Sequence, residues 1–184
     1  MSHAQTRSAR RQRFEQLFDA HYSAVSGYAH RRAAPGDAED AVGETFLVAW
    51  RRIDDVPREA KPWLLGVARR VLANQRRAGA RRAALTERVT REPTGRDELE
   101  RSPTLAALRR LSDGDREVLL LAAWDGLTTA EAAAVLGCSP TAAKVRLHRA
   151  RRRLRGALEE LQAAAPVPAA ATAVTPRLEE CHDE

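Results

Sequence analysis

The sequence predicts an all-α protein made of two small helical bundles joined by a flexible linker, the second containing a helix-turn-helix. Hydrophobic residues make up 43% of the chain but aromatic residues only 4%. Strands favour β-branched and aromatic side chains, whereas this apolar fraction consists chiefly of Ala, Leu and Val. Apolar residues recur at helical spacing on both sides of a segment, about 79–103, where the periodicity weakens.

The first bundle is predicted over residues 13–82. Its first helix, about 13–31, carries apolar or aromatic side chains at i, i+3 and i+4 spacing, from Phe14 to Ala29. Pro35-Gly36 ends that helix, and Asp37 is predicted to cap the next one, which has a buried stripe from Ala38 to Ile53. Residues 54–61 are predicted to form a loop, with Pro62 opening a third helix.

The second bundle is predicted over residues 104–162. Ser112 begins a capping sequence for one helix, and Thr128 with Glu131 forms a capping box for the next. Gly137 follows where a left-handed residue ends a helix. Ser139 and Pro140 then supply the cap and first-turn proline of a long helix that reaches about residue 161.

Three further segments complete the predicted organisation. Residues 1–12 are expected to be a disordered basic N-terminus. Residues 83–103 form the linker, which contains Pro93, Gly95 and Pro103. Residues 163–184 are Ala- and Pro-rich with an acidic end, so we expect a disordered tail.

The long helix of the second bundle has two chemically different faces. At roughly 100° per residue, an apolar arc forms on one side and a polar or basic arc on the other. The apolar arc contains Ala143, Leu147, Ala150 and Leu154. The opposite arc contains Thr141, Val145, His148, Arg149 and Arg152. Between the two arcs lie Lys144, Arg146 and Arg151. The second arc suits base edges and phosphates. Arg153 and Arg155 are predicted to meet the nucleic-acid backbone.

The charge distribution also favours a nucleic-acid partner. The chain has 31 Lys and Arg against 25 Asp and Glu, a formal net charge of +6. Residues 60–86 and 132–158 contain no acidic side chain, whereas 36–59 and 159–184 are acidic. Charge sorted into such blocks is expected where DNA-facing and protein-facing surfaces are separate.

No enzymatic site is predicted. Cys138 and Cys181 are far apart and do not have zinc-finger spacing, so neither a disulfide framework nor a metal site is expected. No Walker loop, dinucleotide-binding turn or nucleophile elbow is present, which argues against a cofactor and against catalytic residues. Without a signal peptide or an apolar run of bilayer length, the protein is expected in the cytoplasm.

Two sets of motifs together resemble the extracytoplasmic-function (ECF) type of bacterial RNA polymerase sigma factor. Residues 119–154 are similar to sigma region four, through Gly126-Leu-Thr-Thr-Ala-Glu-Ala-Ala, Leu136-Gly-Cys-Ser and Lys144-Val-Arg-Leu-His-Arg-Ala-Arg. The first bundle is similar to region two, through Asp37-Ala-Glu-Asp-Ala-Val, Glu44-Thr-Phe, Ala49-Trp-Arg and Trp63-Leu-Leu-Gly-Val-Ala-Arg-Arg. The resemblance covers about residues 13–161.

The resemblance implies a role for each surface. The recognition helix would bind the minus-thirty-five promoter element through Thr141, Lys144, Val145, Arg146, His148 and Arg149. The third helix and the preceding loop, 54–61, would take the minus-ten element as a single strand through Lys61, Trp63, Arg69, Arg70, Asn74, Arg76 and Arg77. The second helix would contact core RNA polymerase through Asp40, Glu44, Phe46, Leu47 and Trp50.

The implied function is a sigma factor that directs core RNA polymerase to specific promoters and assists promoter opening. The implied partners are core polymerase, promoter DNA and an anti-sigma factor, for a chain that is monomeric when free and nucleoid-associated when bound to polymerase. Three residues depart from the family pattern: Gly43 replaces a polar residue, and Ala142 and Val145 replace small hydroxyl residues.

Other interpretations of the same residues stay open at this point. A stand-alone helix-turn-helix regulator would use the first bundle for dimerisation or sensing. A DNA-processing enzyme such as a recombinase would need a nucleophile or a carboxylate cluster in the first bundle, and none is convincing there. Phe46, Trp50 and Trp63 also suit a hydrophobic core.

Overall fold

The computed structural model describes residues 3–85 and 102–164, with side chains from 7–82 and 102–163. This part of the chain forms seven α-helices and no strand, which confirms the all-α prediction. The helices are α1 (His3–His30), α2 (Pro35–Arg51), α3 (Ala60–Leu85), α4 (Pro103–Arg110), α5 (Asp113–Ala123), α6 (Thr129–Leu136) and α7 (Pro140–Ala164). No helix among these residues is both long and apolar enough to cross a membrane.

The first domain is a bundle of α1, α2 and α3, in which each helix packs against the other two. Its fully buried side chains include Val25 and Tyr28 from α1, and Leu64 and Leu65 from α3. Phe46 of α2 contacts Phe18 of α1 with 4.7 Å between ring centroids. The interior is thus closed by the apolar stripes that the periodicity predicts.

The beginnings of these helices differ from the prediction. Helix α1 already begins at His3, so the predicted disordered N-terminus is helical over residues 3–12. Ala34, not Asp37, occupies the cap position of α2, because Pro35 takes the first helical position and leaves Asp37 within the first turn. The predicted loop 54–61 overlaps a short 3₁₀ helix, Ile53–Asp55, and α3 begins at Ala60.

The second domain comprises α4 to α7, and its predicted caps are confirmed. The Ser112 side chain accepts a hydrogen bond from the backbone N–H of Asp115 at the start of α5. Thr128 and Glu131 form the reciprocal capping box of α6. The hydrogen bonds that Thr128 donates hold the pKa of Glu131 below its usual value. Gly137 then ends α6 with φ of 68°, a conformation that suits glycine.

The two domains pack directly against each other through α3 and α6. Buried residues of both domains belong to one continuous cluster, which joins Leu65 and Leu72 of α3 to Val135 of α6. Gly66 lies at this junction, where a Cβ atom would stand 3.8 Å from the Cα atom of Val135. The two bundles therefore form a closed arrangement, which the sequence alone does not predict.

We predict that Thr128→Ala destabilises the second domain, because the backbone N–H of Glu131 loses its acceptor and the Glu131 carboxylate keeps only the backbone N–H of residue 128 as a donor. The free energy of unfolding should fall by about 1 kcal/mol. Chemical denaturation followed by circular dichroism measures this change. The exposed Thr104 of α4 gives the control Thr104→Ala, and an equal loss in both variants would contradict the capping role.

Candidate nucleic-acid interface

Helix α7 presents a basic face over an apolar stripe. Ala143 and Ala150 are fully buried, and Leu147 is 8% exposed. The six side chains predicted to meet the upstream element are all exposed: Thr141, Lys144, Val145, Arg146, His148 and Arg149. Even the apolar Val145 is 43% exposed. The stripe predicted from periodicity is therefore the buried one, and the opposite face is open to solvent.

The turn between α6 and α7 sets the direction of this face. The backbone N–H of Cys138 donates to the carbonyl of Ala133 at 3.1 Å, which closes the turn after Gly137. The Ser139 hydroxyl then accepts a hydrogen bond from the backbone N–H of Ala142 at 3.2 Å. The end of α6 and the start of α7 are therefore both capped at the turn, which holds the two helices of the helix-turn-helix in a fixed arrangement.

Arg153 is engaged within the domain rather than free for the nucleic-acid backbone. Its guanidinium pairs with the carboxylate of Asp115, which also accepts a hydrogen bond from the Ser112 hydroxyl at 2.9 Å. Burial alone would raise the pKa of Asp115, but the hydrogen bonds from Arg153 and Ser112 outweigh it and leave the pKa below its usual value. This contact anchors the middle of α7 to the start of α5.

Helix α3 carries the second cationic surface. Its predicted single-strand set is mostly accessible: Arg70, Asn74, Arg76 and Arg77 are exposed, and Lys61, Trp63 and Arg69 are half-buried. The Arg77 guanidinium donates to the Asn74 side-chain oxygen at 2.6 Å. Arg70, Asn74 and Arg77 recur at the i, i+4, i+7 spacing of one helical face, so a strand running along that face of α3 could contact them in succession.

A groove between α2 and α3 brings two predicted sets together. Asp40, Glu44 and Leu47 of α2 line one wall, with Gly43 between them, and Arg70 and Asn74 of α3 belong to the other wall. No atom lies within 4 Å of a Cβ built on Gly43. The groove is thus acidic on one side and basic on the other, and Gly43 leaves it open.

The predicted polymerase-contact residues divide between surface and core. Leu47 is 49% exposed and Trp50 is 40% exposed. Asp40 and Glu44 are also exposed. Phe46 is buried among the aromatic rings of α1, with Phe14 at 6.4 Å and Phe18 at 4.7 Å between centroids. The alternative interpretation as a core residue therefore applies to Phe46, whose side chain supports the surface without forming it.

A cluster of ionisable side chains lies between the domains and was not predicted from the sequence. It is here called the closure cluster and comprises Tyr28, Arg31, Arg32, Glu117 and Asp125. Arg32 donates to Glu117 at 2.7 Å and to Asp125 at 3.1 Å. Arg31 pairs with the other oxygen of Asp125. The Tyr28 hydroxyl donates to Glu117 at 2.7 Å.

Burial sets the chemistry of the closure cluster. Burial, reinforced by the adjacent Glu117 carboxylate, raises the pKa of the Tyr28 hydroxyl. Burial would lower the pKa of Arg32, but its attraction to Glu117 and neighbouring groups raises it. The Arg32 guanidinium also lies 3.7 Å from the centroid of the Tyr28 ring. No local sequence pattern predicts the contacts of Arg31 and Arg32 with Glu117 and Asp125, since the partners are 85 to 94 positions apart.

Two residues of the predicted DNA-binding sets also lie at the domain junction. Lys61 donates to the backbone carbonyl of Asp125 at 2.6 Å. Arg146 of α7 lines a cleft that also includes Arg69, Arg70 and Arg76 of α3. The structure thus brings the two predicted nucleic-acid surfaces toward one cleft. Among the described residues, no group of three or more His, Cys, Asp or Glu side chains could hold a metal ion.

Each of the two domains matches a known protein family. The Sigma-70 region 2 family matches residues 17–82, and the Sigma-70 region 4 family matches residues 102–154. The ECF RNA polymerase sigma factor SigL of Mycobacterium tuberculosis is 36% identical over 156 residues, which cover 79% of this chain and 88% of SigL. The chain belongs to the ECF sigma factor family. It is a promoter-specific transcription initiation factor.

Other sigma factors are also similar to this chain. The RNA polymerase sigma factor NccH of Alcaligenes xylosoxydans xylosoxydans is 32% identical, covering 81% of this chain and 88% of NccH. Among solved structures, CnrH in complex with the cytosolic domain of CnrY has a TM-score of 0.64 at 30% identity, covering 88% of this chain and 96% of that one. RpoE in complex with the anti-sigma factor NepR from Bartonella quintana has a TM-score of 0.63 at 28% identity, covering 79% and 96%.

We predict that Asp115→Asn destabilises this ECF sigma factor at neutral pH by about 1 kcal/mol, because the partner of Arg153 and Ser112 loses its charge. The pKa of Asp115 is lower in the folded than in the unfolded chain, so its stabilisation is present above the unfolded value and disappears as the pH falls through the folded one. The stability difference between wild type and variant should therefore be constant well above the unfolded pKa and shrink as the pH is lowered below it, which unfolding curves at a series of pH values measure. Asp113→Asn removes a carboxylate that is 92% exposed on the same helix and serves as control; a pH-independent difference would contradict this account.

Proposed function

We propose that the chain directs core RNA polymerase to specific promoters by using α7 on duplex DNA and α3 on the opened strand. The observation that carries the proposal is the arrangement of α7. Its N-terminus is capped, one stripe of the helix is buried, and the side chains on the opposite face are exposed: Thr141, Lys144, Val145, Arg146, His148 and Arg149. A merely solvated basic helix would not require a capped first helix and a glycine turn in front of it. Family membership supports the division of labour between the two domains.

On α7, the proposed contacts divide by chemistry. Arg149 and Arg146 can each form two hydrogen bonds with a guanine edge, and Lys144 can donate to a base or a phosphate. The Val145 methyl groups can contact a thymine methyl group, and Thr141 and His148 can donate or accept. The minus-thirty-five element is the proposed target of this surface.

On α3, the proposed function is capture of an opened strand. A melted strand requires a basic track for its phosphates and flat side chains for its unstacked bases. Arg69, Arg70, Arg76 and Arg77 provide the track, with Lys61 at its start. Asn74 and Trp63 offer base contacts beside it. The minus-ten element is the proposed target here, and its capture is how the protein assists promoter opening.

The proposed polymerase surface comprises Asp40, Glu44, Leu47 and Trp50 on α2. It combines exposed acids with Leu47 and Trp50, two exposed apolar side chains that are neighbours on the helix surface, and a contiguous exposed apolar patch is typical of a partner contact. An anti-sigma factor is a further proposed partner, supported by the structure of RpoE with the anti-sigma factor NepR. As a monomeric regulatory subunit and not an enzyme, the chain would act in the cytoplasm, at the nucleoid when bound to polymerase.

The experiment that tests this proposal is transcription of genomic fragments by bacterial core RNA polymerase with and without the purified chain. We expect discrete transcripts that depend on the chain. A chain that gives no such transcript, yet dimerises and protects specific duplex DNA alone, would instead be a stand-alone regulator.

We predict that Lys144→Ala and Arg149→Ala each weaken use of the upstream element by about 1–3 kcal/mol if the side chain contacts a base. Arg110→Ala is the matched control, because it removes one exposed positive charge from the same domain but lies on α4 beside Glu160. Promoter titration in the transcription assay measures the effect. Full activity of the Lys144→Ala, Arg149→Ala double variant would show that this face does not read the promoter.

We predict that Arg76→Ala with Arg77→Ala impairs strand opening more than duplex binding, because both side chains belong to the α3 track and are exposed. Permanganate footprinting should show weaker thymine reactivity in the bubble, while closed-complex formation at low temperature changes less. Arg7→Ala with Arg11→Ala removes two exposed arginines of α1 as a control. Equal loss of opening and duplex binding would contradict the assignment.

A further inference from the structure

Five arginine side chains line one concave surface, here called the arginine cleft: Arg69, Arg70, Arg76 and Arg77 of α3, and Arg146 of α7. The cleft has a volume of about 470 Å³, and Leu72 and Leu136 contribute to its wall. Four of the five arginines are exposed to solvent, and Arg69 is half-buried. Because a cleft lined by charges of one sign concentrates their electrostatic field, this surface should attract an anion.

The carboxylates around the arginine cleft do not neutralise it. Glu117 is engaged by Arg32, and Asp113 pairs with Arg116. Among the residues that the structure describes, none of the five cleft arginines forms an ion pair. Arg76 donates to an uncharged oxygen, the backbone carbonyl of Arg32, at 3.0 Å. The arginine cleft therefore keeps a positive charge that no described side chain compensates.

The same chain contains an anionic segment after α7. Helix α7 ends at Ala164, and residues 165–184, here called the acidic tail, lie outside the described residues. The first part of the acidic tail, 165–178, contains three prolines and no side-chain carboxylate. Four acids then follow within residues 179–184: Glu179, Glu180, Asp183 and Glu184. The sequence of the tail is thus a spacer followed by a dense block of negative charge.

We propose that the acidic tail binds the arginine cleft of its own chain and competes there with an opened promoter strand, an inference that rests on the proposed function of α3. Carboxylates pair with guanidinium groups through two parallel hydrogen bonds, as phosphates do. A row of carboxylates can therefore substitute for the phosphates of a nucleic-acid strand. A bound tail would cover Arg70, Arg76 and Arg77, which the proposed function assigns to that strand.

The spacer is long enough for the acids to reach the arginine cleft. Arg146 and Ala164 are 18 positions apart on α7, which is about 27 Å at 1.5 Å per residue. The 15 residues from Ala164 to Glu179 span at most about 50 Å when extended. The acidic block can therefore turn back alongside α7 and reach the cleft without being fully stretched.

Attachment to the same chain makes a weak contact sufficient. A tethered segment meets its site at an effective concentration in the millimolar range. A nucleic acid that requires the same arginines must displace the tail, so its apparent affinity falls with the fraction of molecules whose cleft is free. We expect a decrease of about three- to ten-fold, which corresponds to an intrinsic dissociation constant about three to ten times below that effective concentration.

Cys181 lies within the acidic block and allows a direct measurement on the full chain. With Cys138→Ser in place, a nitroxide on Cys181 shortens the relaxation of nearby amide protons, which nuclear magnetic resonance records for each backbone position. At low salt we expect strong broadening at residues 69–77 of α3 and little at residues 7–11 of α1. Arg7 and Arg11 are also exposed, so their amides report non-specific attraction. A wild-type chain without broadening at α3 would overturn the proposal.

Neutralising the acidic block tests whether its charge is responsible. The neutral-tail variant should lose the broadening at α3: Glu179→Gln, Glu180→Gln, Asp183→Asn and Glu184→Gln. The charge-matched control neutralises four exposed carboxylates on the helices instead: Glu15→Gln, Asp19→Asn, Glu39→Gln and Glu159→Gln. It changes the net charge equally and should keep the broadening. Equal broadening in the two variants would contradict binding through the tail carboxylates.

The site and the origin of the tail are tested in the same way. Arg70→Gln with Arg77→Gln should weaken the broadening, whereas Arg7→Gln with Arg11→Gln removes two exposed arginines from α1 and should not. The amide spectrum checks that each variant keeps its fold. A mixture of isotope-labelled chain without nitroxide and unlabelled chain with nitroxide should show no broadening at α3. Broadening in that mixture would mean that the tail binds a second copy, which contradicts the proposal.

Competition is measured by fluorescence anisotropy of a labelled single-stranded oligothymidylate without polymerase. At low salt the neutral-tail variant should bind this probe about three- to ten-fold more tightly than the charge-matched control. The difference should vanish at high salt, where exposed charges are screened. Equal affinities at low salt would refute the competition. Failure of every variant and wild type to bind the probe would refute strand capture by α3, while the relaxation measurement would still decide whether the tail occupies the arginine cleft.

Discussion

The close packing of α7 against α5 and α6 is the constraint on which the rest of the candidate nucleic-acid interface depends. Ala143 and Ala150 are fully buried, and such small side chains let α7 lie directly against α5 and α6. The long arginine side chains between them cannot enter this narrow contact, so they extend into solvent. The basic face of α7 is thus a consequence of how its opposite face packs.

Features set by neighbouring residues could be predicted from the sequence. The capping box at Thr128, the left-handed Gly137 and the cap at Ser139 involve partners within a few positions, and the structure has all of them. The buried stripe of α7 followed from periodicity for the same reason. The prediction that Asp37 caps α2 was wrong, because Pro35 occupies the first helical position and the helix begins two residues earlier.

Features set by distant residues could not be predicted in this way. Arg31 and Arg32 sit just beyond the end of α1, and their partners belong to another domain. Locally, two arginines after a helix resemble an exposed terminus that complements the helix dipole. Glu117 and Asp125 reach Arg31 and Arg32 because α3 packs on α6 and brings the two domains together. The end of α1 therefore belongs to an ion-pair network between the domains and is not a solvated helix terminus.

Lys61 would have one partner in the closed arrangement and another on a promoter. In the closed state, carboxylates and carbonyls of the second domain satisfy Arg31, Arg32 and Lys61. On a promoter, phosphates would be the partners of Lys61 and its neighbours on α3. Added salt weakens contacts with phosphates, whereas the largely buried pairs that Arg32 makes with Glu117 and Asp125 are screened much less. The contact between the domains should therefore be less sensitive to salt than the contact with a promoter.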